Sequence, residues 1–411
     1  MLTREGCLER RQRLWNQLPE ETQWVLVADP RHVYYLSGFL VQPLSFSVGE
    51  RGWLLLERNG PATLLADNFT RRSAIAAPYV DAEELETWYD HRHSVINRDH
   101  ALLAALKRVA GRLLDRPGII EEEALSLNAL GYLPDAVGEF ALRGSAPASG
   151  NFADSALGES EPEDMFQPET WHTLGSVLRR LRRNKHADEV ATLERAMRAC
   201  AAGHAAALAT VAPGVTEFEV YQAIHAAVLT EARQPVQIYG DFRSTNRETP
   251  KRGGAPTDQV LAAGDLLLLD YSVIVDGYRS DFTNTVSAGP PSAEVQRLFH
   301  ACHEALQAGA AALRPGARAV DIYETVAGPL RQSGWGDTFT HHAGHGLGLG
   351  HPEPPILVAE STDQLEVGDV VTLEPGLYVP GIGGLRLEHN YLITETGSRC
   401  LSPHALRLTA D

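Results

Sequence analysis

The chain has 411 residues, 36 Lys plus Arg against 53 Asp plus Glu, a formal net charge of −17 with histidine neutral, 44% hydrophobic residues and 22% charged ones. At roughly 100 to 200 residues per domain this length holds two or three domains, and the composition excludes wholesale disorder and a disulfide-stapled miniprotein. The acidic balance opposes nucleic acid and anionic membrane as partners, no apolar run reaches the length of a span, and the charged start MLTREGCLERRQRLW does not read as a signal peptide, so a cytoplasmic protein is expected.

A helix is predicted over about residues 3 to 18, then a buried strand within 22 to 28. The runs beginning at Trp53 and Thr63 flank Asn59-Gly60, a strong hairpin signal, and alternating elements up to about residue 140 point to an α/β domain. Residues 144 to 170, rich in Gly, Ser, Pro and acids, read as a linker or surface excursion. The basic run Arg179, Arg180, Arg182, Arg183, Lys185 reads as a solvated helix start. Val190 to Val211 then recur at helical spacing until Pro213-Gly214, with His204 on the apolar face as a core histidine, and Thr216 with Glu219 forms a capping box opening the next helix. Cys7, Cys200, Cys302 and Cys400 lack zinc-type spacing and read as buried reduced thiols.

Three clusters in the second half carry chemistry. In the first, Asp276-Gly277 is a hairpin turn, so Val275 pairs with Tyr278 and Asp270 with Thr283. Asp281 then faces the same side as Asp270, with Cβ atoms about 7 Å apart or less, room enough for a metal ion between them. A capped strand end or a pair with Arg279 is the alternative. The second cluster, residues 339 to 355, places four of the chain's 16 histidines within eleven residues, and His341 and His345 share a face if the segment is extended. A phosphate loop is the rival reading, weakened by prolines that forbid a following helix. In the third, Glu374 ends an apolar strand, and Arg386 and Glu388 share the face opposite Leu385 and Leu387. If Asp270, Asp281, His345, Glu374 and Glu388 converge, four carboxylates are neutralised by two divalent ions, and a mostly oxygen donor set suits Mn, Co, Zn or Fe. Such a pair supports hydrolysis.

Asp-x10-Asp in the GYxSDxTxT context, HxxGHGLGL and TLEPGLYxPGxGGxRxE together resemble the family of aminopeptidase P, prolidase, methionine aminopeptidase and creatinase, over most of residues 176 to 405. Tyr34-Tyr35-Leu36-Ser37-Gly38-Phe39 is similar to that family's creatinase-like N-terminal domain. The resemblance implies an α/β creatinase-like domain with its linker at 1–170 and an α+β pita-bread catalytic domain, a curved antiparallel sheet with helices, at 171–411. It implies that Asp270 and Asp281 hold one ion, that Asp281 and Glu388 bridge, and that His345 and Glu374 complete the second. Glu374 would take a proton from water, His341 would lie on the substrate side, and Arg386 would support the bridging glutamate. The expected activity is that of an Xaa-Pro aminopeptidase or dipeptidase acting on a small peptide, in a homodimer by analogy.

Two family histidines are missing. Gly253 stands three residues before Pro256 in the Pro-Thr-Asp turn, and Pro352 stands seven residues after His345, with His351 beside it as a substitute. These departures keep open a non-peptide hydrolase or lyase acting on a small amide, amidine or carboxylate, and a non-catalytic binding module. Arg243 or Arg247, in the basic segment near Gly253, is a further candidate to clamp a substrate carboxylate.

Overall fold

The computed structural model describes residues 1–41, 50–92, 94, 97–133 and 173–410. The chain divides into two compact units, Leu2–Leu181 and Arg182–Asp411 together with Met1. The excursion at 144–170 and the boundary at 170/171 lie outside the described residues.

In the first unit, the helix Arg4–Gln17 begins where Thr3 accepts the Gly6 N–H, as an N-cap should. Strands β1 (Trp24–Val27), β2 (Trp53–Glu57), β3 (Ala62–Asp67), β4 (Ala82–Glu86) and β5 (Gly118–Ile120) form a mixed sheet in the order β4-β3-β2-β1-β5. The Asn59-Gly60 hairpin joins β2 to β3, with Trp53 opposite Leu65. Every residue of β1, β2 and β3 is buried, which explains their near-continuous apolar sequence. Trp24, Trp53 and Leu65 pack with Leu102, Leu106 and Val109 of the helix Arg98–Ala110.

The second unit opens with the helix Ala187–Thr210, whose periodic face buries Leu193, Met197, Cys200 and His204. Thr216 and Glu219 exchange both capping-box bonds at the start of Glu217–Ala232. The antiparallel strands β6 (Gln237–Thr245), β7 (Leu266–Val275), β8 (Tyr278–Arg279) and β9 (Phe282–Ser287) follow, and β7 pairs with the other three. Asp276 and Gly277 turn with φ of 48° and 81°, the left-handed pair that a two-residue type I′ hairpin requires. Val275 faces Tyr278 and Asp270 faces Thr283, the register obtained by counting back from that turn.

Beyond the helices Ala293–Ala312 and Ala319–Gln332, a second antiparallel sheet runs β11-β10-β12-β15-β16, from β10 (Gly344–Gly346), β11 (Glu353–Leu357), β12 (Val370–Leu373), β15 (His389–Thr394) and β16 (Gly397–Cys400). A separate hairpin pairs β13 (Gly376–Val379) with β14 (Gly383–Arg386). Leu373, Leu377, Leu385 and Leu387 join the two helices in one apolar core, leaving the opposite faces of the strands for polar groups.

Two sequence expectations are corrected here. The basic run is not a solvated helix start: the helix Leu174–Leu181 ends before Arg182, and Arg182, Arg183 and Lys185 are buried because buried carboxylates meet them. Arg182 Nη2 lies 2.6 Å and Lys185 Nζ 3.0 Å from the two oxygens of Glu353, and Arg183 forks onto Asp369 at 2.8 and 3.0 Å. Cys400 is exposed, because it ends the edge strand β16, while the other three cysteines are buried.

Candidate metal centre

Asp270 sits mid-strand in β7, between Asp241 on β6 and Thr283 on β9. Asp281 occupies the step between β8 and β9, directly before Phe282, and Glu388 follows β14. Glu388 is fixed to β9 twice: its N–H donates to the Thr283 carbonyl at 2.9 Å, and its Oε2 accepts from Thr283 Oγ1 at 2.7 Å. One ligand atom from each of Asp270, Asp281 and Glu388 lies within 4.8 Å of the others.

His345 is the middle residue of β10. Its Nδ1 is 2.9 Å from the Gly346 carbonyl, which can only accept, so Nδ1 carries a proton and Nε2 is the nitrogen turned to the carboxylates. That Nε2 is 3.5 Å from Asp281 Oδ2 and 3.5 Å from Glu374 Oε1. Glu374 is held just past β12 by its N–H donating to the Ala343 carbonyl. All five expected ligands therefore converge, with Asp281 common to the groups on either side.

The electrostatics fit a divalent cation. Burial, followed by repulsion from Asp281, Glu374 and Asp270, pushes the Glu388 carboxyl well above the ordinary range. Burial likewise raises Glu374 and Asp270, against opposing attraction from His345 and Arg386 respectively. Burial disfavours charge on His345, yet the hydrogen bond to Asp281 and the charge of Glu374 outweigh it and raise its pKa to about 9. Among the described residues, Glu388 Oε1 and His342 Nδ1 are buried with no hydrogen-bond partner, His342 Nδ1 having only an ionic contact with Glu374. Buried carboxylates and an imidazole nitrogen, once its proton is displaced, form the hard-oxygen and nitrogen donor set that a transition-metal dication satisfies.

Arg386 reaches inward from β14. Its Nη2 contacts Asp270 directly and lies 3.9 Å from Asp241, while Nη1 is 4.0 Å from Glu374. β10 begins only at Gly344, so no strand aligns His341 with His345, although both stand beside Glu374. His341 groups with His342 and Glu374, whereas His345 groups with Asp281 and His351. His341 Nδ1 bonds the His342 carbonyl at 2.8 Å, and Tyr378 Oη is 3.4 Å from its Nε2. Burial, then the Arg386 charge, lowers its pKa to about 3, so it is a neutral imidazole.

The Arg243 expectation meets a competing partner, since its Nε lies 3.1 Å from Glu217, a buried carboxylate on a helix outside the cluster. Arg247 contributes its backbone carbonyl to the Gly381 N–H. Two residues near the centre were missed. His342 Nδ1 is 3.3 Å from Glu374 Oε1, and its only sequence signal was its place in the histidine run. Asp241 stands opposite Asp270, and its Oδ1 accepts the Gly254 N–H at 2.6 Å. A Cβ on Gly253 would approach that carboxylate to 2.8 Å, so Asp241 takes up the space a side chain at 253 would enter. In sequence this aspartate lies among Arg243, Arg247, Lys251 and Arg252, whose positive excess dominates the segment. In the first unit, Asp29, His32 and Glu121 also cluster, but Glu121 already accepts the Ala28 and Asp29 N–H groups at 2.8 Å each and clamps the start of a helix.

The family profile "Metallopeptidase family M24" matches residues 191–395, and "Creatinase/Prolidase N-terminal domain" matches 10–143. This chain belongs to metallopeptidase family M24. Its pita-bread catalytic unit follows a creatinase-like α/β domain. The uncharacterized peptidase YqhT of Bacillus subtilis is 32% identical over 229 residues, 56% of this chain and 65% of that relative, so the match spans just under two thirds of that protein. An uncharacterized peptidase of Staphylococcus saprophyticus is 29% identical over 244 residues, 58% of this chain and 68% of the relative. Among solved structures, the M24 chain is similar to an Xaa-Pro dipeptidase from Bacillus anthracis, with a TM-score of 0.72 and 21% identity over 98% of this chain and 99% of that one. It is also similar to an X-Pro aminopeptidase from Thermotoga maritima, with a TM-score of 0.71 and 20% identity over 98% of each chain. These structures share the fold across the whole length. No helix among the described residues is long and apolar enough to cross a membrane.

Proposed function

We propose that this M24 chain is a dinuclear-metal Xaa-Pro peptidase that removes the residue preceding proline from a dipeptide or short peptide. The observation that carries the reading is the convergence of Asp270, Asp281, His345, Glu374 and Glu388 in one buried cluster, in which burial and mutual repulsion disfavour the charged forms of Asp270, Glu374 and Glu388 while the histidines favour that of Asp281. Asp270, Asp281 and Glu388 would hold one ion, and Asp281, Glu388, His345 and Glu374 the other. When bound, divalent ions supply Lewis acidity toward the scissile carbonyl and acidify water. Glu374, its pKa raised by burial, is suited to accept the proton of the attacking water and deliver it to the departing proline nitrogen. His341, neutral with its Nδ1 proton engaged, presents Nε2 as an acceptor for a substrate N–H. Arg386 holds Asp270 directly and lies beside Glu374, which suits it to position both. Two ions drawn from Mn, Co, Zn and Fe, a homodimer and a cytoplasmic setting belong to the same proposal.

The test is incubation of the Mn- or Co-loaded protein with Xaa-Pro dipeptides and longer Xaa-Pro peptides. Release of the first residue is expected, and peptide length then separates dipeptidase from aminopeptidase. No release from any of them would sink the reading. Asp241 beside Gly253 favours a second one, a small non-peptide amide or amidine whose cationic part meets that carboxylate.

A further inference from the structure

We infer that His351 is a sixth metal ligand, a second imidazole on the ion that His345 would hold. The inference rests on the proposed dinuclear centre and changes its donor set. His351 Nε2 is 2.7 Å from Asp281 Oδ2, closer than His345 Nε2 at 3.5 Å. One ligand atom from each of Asp281, His345 and His351 lies within 4.8 Å of the other two, and the imidazole rings cross edge to face with centroids 4.9 Å apart. Donors sharing one ion at about 2.1 Å stand roughly 3.0 to 3.4 Å apart in octahedral or tetrahedral sites; the His345 separation lies just above that range and the His351 separation, a direct hydrogen bond, just below it, so a small outward shift of His351 would admit the cation.

The loop carrying His351 is built rather than loose. Glu353 Oε2 accepts the Gly350 N–H at 3.1 Å, and the same carboxylate is gripped by Arg182 and Lys185. A Cβ at Gly348 or Gly350 would meet Glu353 at 2.6 or 2.8 Å, so only glycine lets the chain fold over that carboxylate. The buried triad therefore fixes the backbone on both sides of His351 while its imidazole faces Asp281. Two imidazoles make this half of the centre richer in nitrogen than the Asp270 half, which has none. They favour Zn, Co or Fe there over oxygen-preferring Mn.

The experiment removes metal from the full chain and titrates Co(II) into wild type and His351→Gln, reading calorimetric affinity and the visible absorption of each bound equivalent. X-ray absorption of the zinc-loaded proteins counts imidazole ligands. Two imidazoles per pair of zinc ions are expected in the wild type and one in His351→Gln, with one Co(II) equivalent weakened at least ~10-fold and the other unchanged. One imidazole in the wild type, or Co(II) affinities and spectra that do not respond to the substitution, would overturn the inference and leave His351 as a hydrogen-bond partner of Asp281. If the variant does not fold, the wild-type imidazole count decides alone. None of these readouts uses peptide cleavage, so absent Xaa-Pro hydrolysis with two imidazoles sinks only the peptidase reading, and hydrolysis with one imidazole sinks only this inference.

Discussion

Replacing Glu353 with alanine should be among the most damaging changes outside the metal ligands. Its side chain is 4% exposed and faces Arg182 and Lys185, themselves 3% and 1% exposed, at 2.6 and 3.0 Å. Alanine would take this carboxylate from two buried cations and from the Gly350 N–H, and removing one partner of a buried ion pair costs roughly 3 to 5 kcal/mol. Burial opposes the Glu353 charge, but Lys185 and Arg182 outweigh it and hold its pKa below the ordinary 4.5. A depressed carboxylate stabilises the fold above its unfolded pKa, so the difference between wild type and variant should be full near neutrality and shrink as pH falls below 4.5 toward the folded value. Urea unfolding of the metal-free protein, followed by circular dichroism, should show the transition of this unit falling by about 1 to 2 M at an m of ~2 to 3 kcal/mol/M. Simultaneous replacement of all three charges by Met and Leu should recover most of the loss. A Glu353→Ala cost under ~1 kcal/mol at neutral pH would refute the burial argument.

Arg386→Lys keeps the charge but loses the fork reaching Asp270 and Glu374, and kcat/KM on the substrate should fall at least ~100-fold, whereas a change under fivefold would contradict the positioning role. His204 is buried against Tyr271 and Phe282, and burial lowers its pKa to about 3. A neutral buried histidine takes up its proton only on unfolding, so stability should drop as pH falls from 6.5 toward 3, and His204→Phe should flatten that slope by up to ~1.4 kcal/mol per pH unit in denaturant titrations. An unchanged slope would mean the imidazole finds solvent. Because His345 is raised to about 9, metal binding at pH 7 must displace its proton, and calorimetry in buffers of different ionisation enthalpy should register release of at least one proton per chain, contradicted by none.

What the sequence disclosed was local and periodic. Counting back from Asp276-Gly277 predicts the pairing of Asp270 with Thr283 because a two-residue turn leaves no freedom of register. Thr216 and Glu219 announce a helix because both bonds are made within four residues. The largest misreadings are long-range. Arg182, Arg183 and Lys185 look solvated because nothing near them reveals Glu353 or Asp369, nearly two hundred residues away. Asp241 is hidden for a related reason, since its proximity to the centre comes from the pairing of β6 with β7 across a long connection. The alignment of His341 with His345 on one extended strand is not made, because β10 is only three residues long and begins at Gly344.

The central claim is that five side chains from separate strands and loops hold a pair of cations. Anomalous diffraction at the metal edge, from crystals of the protein loaded with Mn or Zn, tests it most directly. Two peaks about 3.5 to 4 Å apart are predicted, one beside Asp270 and one beside His345, with Asp281 and Glu388 between them. No peak there, or a single ion bound away from Asp281 and Glu388, would contradict the account.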